Sequence, residues 1–82
     1  MKIEHDGRTT VMIRHIPNKY TQQMLIDEVN ENHRYKYNFF YLPVDSYNPC
    51  NVGYAFINFI DTKFIAKFYL EFNGKRWSRF NS

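Results

Sequence analysis

The sequence predicts an α+β fold of the ferredoxin-like kind, an antiparallel sheet with two helices on one face. Two observations predict it. Alternation of side-chain character with a period of two marks three strands, and two stretches of helical spacing lie between and after them. The order is therefore strand, helix, strand, strand, helix. This is the β-α-β-β-α(-β) order without its final strand, so we predict that the fourth strand is missing or truncated.

The first predicted strand covers residues 9–16. Val11 and Ile13 alternate with Met12 and Arg14, so the two pairs face opposite sides of the sheet. Residues 17–19 end the strand with a proline-containing turn. The apolar pair suits a core that is covered by helices, which leaves Met12 and Arg14 on the open side.

A helix is predicted from the N-cap Thr21 to about His33. Its apolar stripe is Met24, Leu25 and Val29, at the spacing that brings residues to one helix face. The other side of the helix is expected to face solvent and holds the polar residues Gln22, Gln23, Asp27, Glu28 and Glu31.

The second predicted strand, residues 37–44, is rich in aromatic residues, and a turn-rich loop follows it at residues 45–50. Pro43 cannot donate a ladder hydrogen bond, which predicts an edge strand. One face of this strand carries Phe40, Leu42 and Val44, and the other carries Phe39, Tyr41 and Pro43.

The third predicted strand, residues 51–59, has two different faces. Small and apolar residues (Gly53, Ala55, Ile57 and Phe59) alternate with Val52, Tyr54, Phe56 and Asn58. The run from Val52 to Phe59 fits the octamer of sheet-based RNA-binding domains at all specified positions but two. Ile57 replaces a valine, which is a trivial change. Val52 replaces the basic first residue, which is a real departure. Two neighbouring aromatic rings make poor core and a good surface for stacking bases.

The second helix is predicted to be capped by Asp61 or Thr62 and to end at Asn73 and Gly74. A basic tail, residues 75–82, follows it. The helix is expected to bury one stripe, which consists of Ile65, Phe68, Tyr69 and Phe72.

Composition limits the classes of protein that this chain can represent. Its 82 residues suit one domain, which we place at residues 9–82 after a flexible leader at residues 1–8. The charge of +3 permits a polyanionic partner, and the single cysteine, Cys50, fits a reducing compartment. No apolar run is long enough to span a membrane. We therefore expect an intracellular domain, in the nucleus, the cytoplasm or both.

Neither a metal site nor a catalytic site is predicted. His5, His15, His33 and Cys50 match no zinc-binding spacing. The helix carboxylates have no visible catalytic partner, and there is no glycine-rich phosphate loop. We expect no enzymatic activity and no cofactor.

The aromatic residues of the open face are the first candidates for a binding site. Tyr54 and Phe56 are predicted to stack bases, with Met12 as an apolar wall beside them. Phe39 and Tyr41 either extend this surface along the second strand or form a cluster that covers the sheet edge.

Polar candidates surround the rings. Arg14 either pairs with a phosphate or a base, or is a solvated arginine. Asn58 can hydrogen-bond a base edge or stay a plain surface residue. The tail cations Lys75, Arg76 and Arg79 either attract a phosphate backbone or only keep the chain soluble.

Several segments together resemble the RNA recognition motif (RRM), and more narrowly the C-terminal RRM of the Mei-two-like RNA-binding proteins, which regulate meiosis and differentiation. The segments that are specific to this family are Ile16-Pro17-Asn18-Lys19-Tyr20-Thr21 and Cys50-Asn51-Val52-Gly53-Tyr54-Ala55-Phe56.

This resemblance implies that Met12 stands where most RRMs carry an aromatic residue and that Val52 replaces a cation that contacts phosphate. It also implies a fourth strand beside the first. Without that strand, the edge of the first strand would be exposed, which makes a homodimer or another protein partner conceivable. The sequence thus predicts a domain that binds single-stranded RNA, and the alternative is an RRM-like module that binds a protein.

Overall fold

The computed structural model describes residues 1–5, 7–48 and 50–77, and within them the chain forms one four-stranded antiparallel sheet and two helices. The strand order is β1-β2-β4-β3. This confirms the predicted α+β ferredoxin-like class. The elements in chain order are β1 (Lys2–His5), β2 (Thr10–Arg14), α1 (Gln22–His33), β3 (Tyr37–Tyr41), β4 (Tyr54–Phe59) and α2 (Lys63–Phe72).

The core lies between one face of the sheet and the two helices. The alternation predicted for β2 and β4 is confirmed, since every second residue of each strand is buried. Phe59 and Phe68 meet edge to face with ring centroids 5.0 Å apart, which joins β4 to α2. Because both helices cover this face, the other face stays open. The buried sheet and helix residues are Val11, Ile13, Ala55, Ile57, Phe59, Leu25, Val29, Ile65, Phe68 and Phe72.

Helix α1 begins as predicted, because the Thr21 hydroxyl accepts a hydrogen bond from the Met24 N–H at 3.1 Å. The placement of Glu28 on the solvent side was wrong, because this side chain is fully buried. The Tyr20 hydroxyl donates to Glu28 Oε1 at 2.8 Å. Glu28 shares a helix face with Leu25, three residues earlier, and this hydrogen bond allows a carboxyl group to lie there.

Helix α2 starts at Lys63, whose N–H donates to Asp61 Oδ1 at 2.9 Å, while Thr62 makes no side-chain capping bond. Asp61 therefore performs the capping. The helix ends at Phe72 with Asn73 as its C-cap, and Gly74 follows with a φ of +83°, at the C′ position that the sequence predicted. The prediction that Tyr69 is buried was wrong, since it is 41% exposed. Position 69 lies at the margin of the stripe that the other three residues form.

Strand β1 corrects the prediction of a flexible leader. Lys2–His5 pair antiparallel with β2, and Ile3 lies opposite Ile13 with 4% of its surface exposed. The N-terminal ammonium group donates to the Lys75 carbonyl at 2.8 Å, and the Ile3 N–H donates to Asn73 Oδ1 at 3.0 Å. The strand that the sequence predicted as the first is β2. Its edge, which was expected to be exposed, is therefore covered by β1. A single apolar residue among polar ones was too short a pattern to show this strand in the sequence.

The two edge strands of the sheet are β1 and β3, and the edge position of β3 is as predicted from Pro43. The strand ends at Tyr41, earlier than expected, and Val44 forms only an isolated bridge with Asn51. Beyond α2, residues 75–77 carry no strand, which is consistent with the prediction that a strand after this helix is missing or truncated. Arg79 lies outside the described residues.

Candidate nucleic-acid interface

Side chains on the open face of the sheet form three rows that cross the strands. The strand registers set these rows, since residues opposite each other on neighbouring strands point to the same side. The predicted residues of β2, β3 and β4 all lie in them, and β1 adds two that the sequence did not suggest. The rows are Lys2–Arg14–Tyr54, then Glu4–Met12–Phe56–Tyr41, then Thr10–Asn58–Phe39.

The centre of this surface is the aromatic pair predicted from the octamer. The rings of Tyr54 and Phe56 meet edge to face, with centroids 5.6 Å apart and planes at 76°. This arrangement is favourable for aromatic rings. Tyr54 is 37% exposed, and Phe56 and Met12 are partly buried beside it. The pair therefore forms an apolar surface that is partly open to solvent.

Two further aromatic residues extend this surface along the edge strand. Tyr41 lies opposite Phe56, and Phe39 lies opposite Asn58. Both are about half exposed. The aromatic residues of the open face therefore reach from β4 to β3, with Met12 of β2 beside Phe56.

Arg14 lies next to the aromatic pair, opposite Tyr54. Its Nη1 atom is 3.5 Å from Glu4 Oε1 and 3.9 Å from Met12 Sδ. Both members of the ion pair are about half exposed, where such pairs contribute little to stability. The guanidinium group therefore remains able to exchange this partner for a phosphate.

Asn58 is held by protein contacts. Its Oδ1 accepts hydrogen bonds from the hydroxyls of Thr9 at 2.7 Å and Thr10 at 2.9 Å. Its Nδ2 donates to Asn38 Oδ1 at 2.8 Å. These bonds join β2, β3 and β4 on the open face. One N–H of the amide is left for a ligand, since an amide nitrogen has two.

Lys75, the first of the predicted tail cations, makes its contacts away from this surface. Lys75 Nζ is 4.0 Å from Glu71 and 4.8 Å from the centre of the Phe72 ring, both on α2. Arg76 is exposed and has no ion-pair partner among the residues the structure describes. The structure therefore brings Lys75 to the end of α2 and does not bring it to Tyr54 and Phe56.

Glu71 also contacts a buried histidine on the helix side of the domain. His33 Nε2 lies 2.9 Å from Glu71 Oε1, and Asn32 Nδ2 donates to Oε2 at 3.0 Å. Burial acts to raise the pKa of the Glu71 carboxyl, but these two hydrogen bonds and the charges of His33 and Lys75 outweigh it. The pKa is therefore held below its ordinary value.

Asn51 is a structural residue that sequence reasoning missed. Its buried side chain donates to the carbonyls of Pro17 at 2.7 Å and Tyr20 at 3.0 Å, and it accepts the Gly53 N–H at 2.8 Å. Gly53 has a φ of +96°, which favours glycine. One amide thus joins the loop after β2 to the start of β4, immediately before Tyr54.

Within the described residues, no group of three or more His, Cys, Asp or Glu side chains is arranged to hold a metal ion. In the same part of the chain, neither helix has the length and apolar character needed to cross a membrane.

A four-stranded sheet with helices on one face and paired aromatic rings on the other defines an open-faced α+β binding domain. Comparison with known families makes this class specific. The family model described as RNA recognition motif 2 matches residues 8–82. The chain belongs to the RNA recognition motif family.

Its relatives include several plant proteins. It is 58% identical over 77 residues to the MEI2-like 2 protein and 57% identical over 77 residues to the MEI2-like 4 protein, both of Oryza sativa subsp. japonica. It is 56% identical over 77 residues to the MEI2-like 5 protein of Arabidopsis thaliana. Each match covers 94% of this chain but only 8% to 10% of the relative. These relatives confirm the resemblance to the Mei-two-like family.

Proposed function

We propose that this domain binds single-stranded RNA, a few nucleotides at a time, by stacking bases on the open face of its sheet. The observation that carries the proposal is the edge-to-face pair of the exposed Tyr54 and the partly buried Phe56 on the face that the helices leave open. Membership of the RNA recognition motif family supports RNA as the class of ligand. No reaction and no cofactor are proposed.

The two rings can supply a large share of the affinity. Stacking a base on an aromatic side chain contributes about 1 to 3 kcal/mol, so two such bases contribute roughly 2 to 6 kcal/mol. Met12 extends the apolar surface between Phe56 and β1, and Tyr41 and Phe39 offer positions for further bases. Asn58 keeps these strands in register and uses its remaining N–H to contact a base edge.

Charge has a smaller role in this proposal than in many RNA-binding domains. Val52 provides no cation at the start of the octamer. Arg14 contacts a phosphate after it leaves Glu4, and Lys2 lies beside it in the same row. Lys75, Arg76 and Arg79 add positive charge that attracts the RNA backbone. These phosphate contacts predict that the affinity for RNA falls as the salt concentration rises.

The test is fluorescence anisotropy with labelled pools of single-stranded RNA at low and moderate salt. The double variant Tyr54→Ala/Phe56→Ala is expected to lose at least tenfold in affinity, as about 1.4 kcal/mol corresponds to tenfold. Tyr69→Ala is the matched control, because Tyr69 is similarly exposed but lies on α2. Equal binding by the wild type and the folded double variant would contradict the proposal.

The alternative is an RRM-like module that binds a protein. Two observations favour it: Val52 replaces the octamer cation, and Met12 replaces an aromatic residue. Binding that is insensitive to salt and saturates with a peptide would support this alternative. We do not propose a homodimer through the edge of β2, because β1 occupies that edge.

For the parent protein we propose a role in RNA metabolism during meiosis or differentiation, in the nucleus, the cytoplasm or both. The support is the similarity to the MEI2-like proteins. The chain spans about a tenth of the length of these relatives, so their other parts are not represented in it.

A further inference from the structure

Strand β1 forms one side of a depression on the open face. This depression has a volume of about 280 Å³ and is lined by Glu4, His5, Thr10, Met12 and Phe56. Glu4, Met12 and Phe56 are neighbours in one row across three strands. The apolar surface of Met12 and Phe56 is thus bordered by a carboxylate. The space is sufficient for one nucleobase.

Glu4 is able to accept hydrogen bonds from such a ligand. Its Oε1 lies 3.5 Å from Arg14 Nη1, longer than the 2.7 to 2.9 Å of a strong charge-assisted bond. Its side chain is 43% exposed, and no contact of Oε2 with the described residues is found. A carboxylate has about four acceptor positions, so most of its capacity is unused.

We propose that Glu4 makes this depression selective for a base that carries an amino group, and against uracil. The inference rests on the proposed function, since it concerns a base stacked on Phe56. Stacking itself tolerates every base, so discrimination needs an edge contact. A carboxylate accepts from the cytosine amino group, whereas uracil presents a carbonyl oxygen at that position and repels it.

The charge of Glu4 also lowers the affinity for RNA of any sequence, and the test has to separate this effect from base selectivity. A carboxylate repels phosphates, and removing it frees Arg14. Loss of Glu4 is therefore expected to raise affinity for any RNA. Base selectivity differs from this effect, because it changes the ratio of the affinities for two RNAs that have the same sugar-phosphate backbone.

The experiment compares octacytidylate with octauridylate RNA by fluorescence anisotropy at one salt concentration. Homopolymers remove the question of register, and the two bases differ at the amino position. The wild type is expected to bind octacytidylate at least about fivefold more tightly, the lower limit for one good base contact. Glu4→Gln is expected to bring the ratio close to one, because an amide can both donate and accept.

The controls separate the possible causes. Glu4→Asp keeps a carboxylate and is expected to retain the preference. Glu31→Gln removes the same charge from the surface of α1 and is expected to change nothing. The amide resonances of Ile3 and Ile13 report whether β1 stays paired in each variant.

Each outcome decides the inference. A wild-type ratio near one, or a ratio unchanged in Glu4→Gln while both affinities rise, overturns it and leaves the proposed function standing. If the wild type binds neither RNA, the proposed function fails and the inference fails with it. A preference that depends on the carboxylate at position 4 supports both.

Discussion

Replacing Ile3 by alanine tests whether β1 is part of the folded domain. Ile3 is 4% exposed and lies opposite Ile13 on the core face. Truncating a buried isoleucine to alanine costs about 2 to 5 kcal/mol, and an edge strand should fall at the lower end, about 2 to 3 kcal/mol. The total stability of a domain of this size is about 4 to 12 kcal/mol. The loss is thus a substantial fraction of the free energy of unfolding.

Thermal and urea unfolding, followed by circular dichroism, measure this effect. Each kcal/mol lowers the Tm of such a domain by about 4 to 8 °C, so the Tm of Ile3→Ala should fall by roughly 10 to 20 °C. Lys2→Ala is the control on the same strand, since Lys2 is exposed and should change stability by less than about 0.5 kcal/mol. If Ile3→Ala costs no more than Lys2→Ala, residues 2–5 do not pack on the core and the reasoning is wrong.

Two further predictions concern other positions. Asn51→Ala removes three hydrogen bonds and should lower the free energy of unfolding by about 2 to 4 kcal/mol, as measured by urea unfolding. A loss below about 1 kcal/mol would argue against a stabilising role of these three bonds. Glu71 has a lowered pKa in the folded state, so its ionised form stabilises the fold above its ordinary pKa of 4.5, and this contribution is lost as the pH falls below that value. Wild type should therefore exceed Glu71→Gln in stability at pH 7 and approach it near pH 3, and a constant difference across this range would contradict the assignment.

Much of the interface could be predicted without coordinates. A period of two places Met12 and Arg14 on the face opposite Val11, and the same rule separates Tyr54 and Phe56 from the core. This rule depends only on backbone geometry, since successive side chains of a strand point to opposite faces. The identity of the open face and its aromatic centre follow from it directly.

Hydrogen bonds of individual polar side chains could not be predicted in this way. Glu28 looked like a solvated helix residue until Tyr20 was found to donate to its carboxyl. Asn51 carried no signal for the three bonds that it makes, because two of the partners, Pro17 and Tyr20, come from a loop more than thirty residues earlier. Polar residues that satisfy buried groups have no periodicity in the sequence.

By itself, the sequence determined both helices, three of the four described strands, their alternating faces and the family, because these depend on local spacing and on short motifs. Only the tertiary structure decided what covers the edge of β2. The backbone groups at that edge would otherwise be unpaired, and they hydrogen-bond to residues 2–5. Ile3 of the same strand is buried in the core. That pairing places Glu4 beside Met12 and Arg14. The negative charge of Glu4 therefore reaches the aromatic face only because β1 pairs with β2 in the folded sheet.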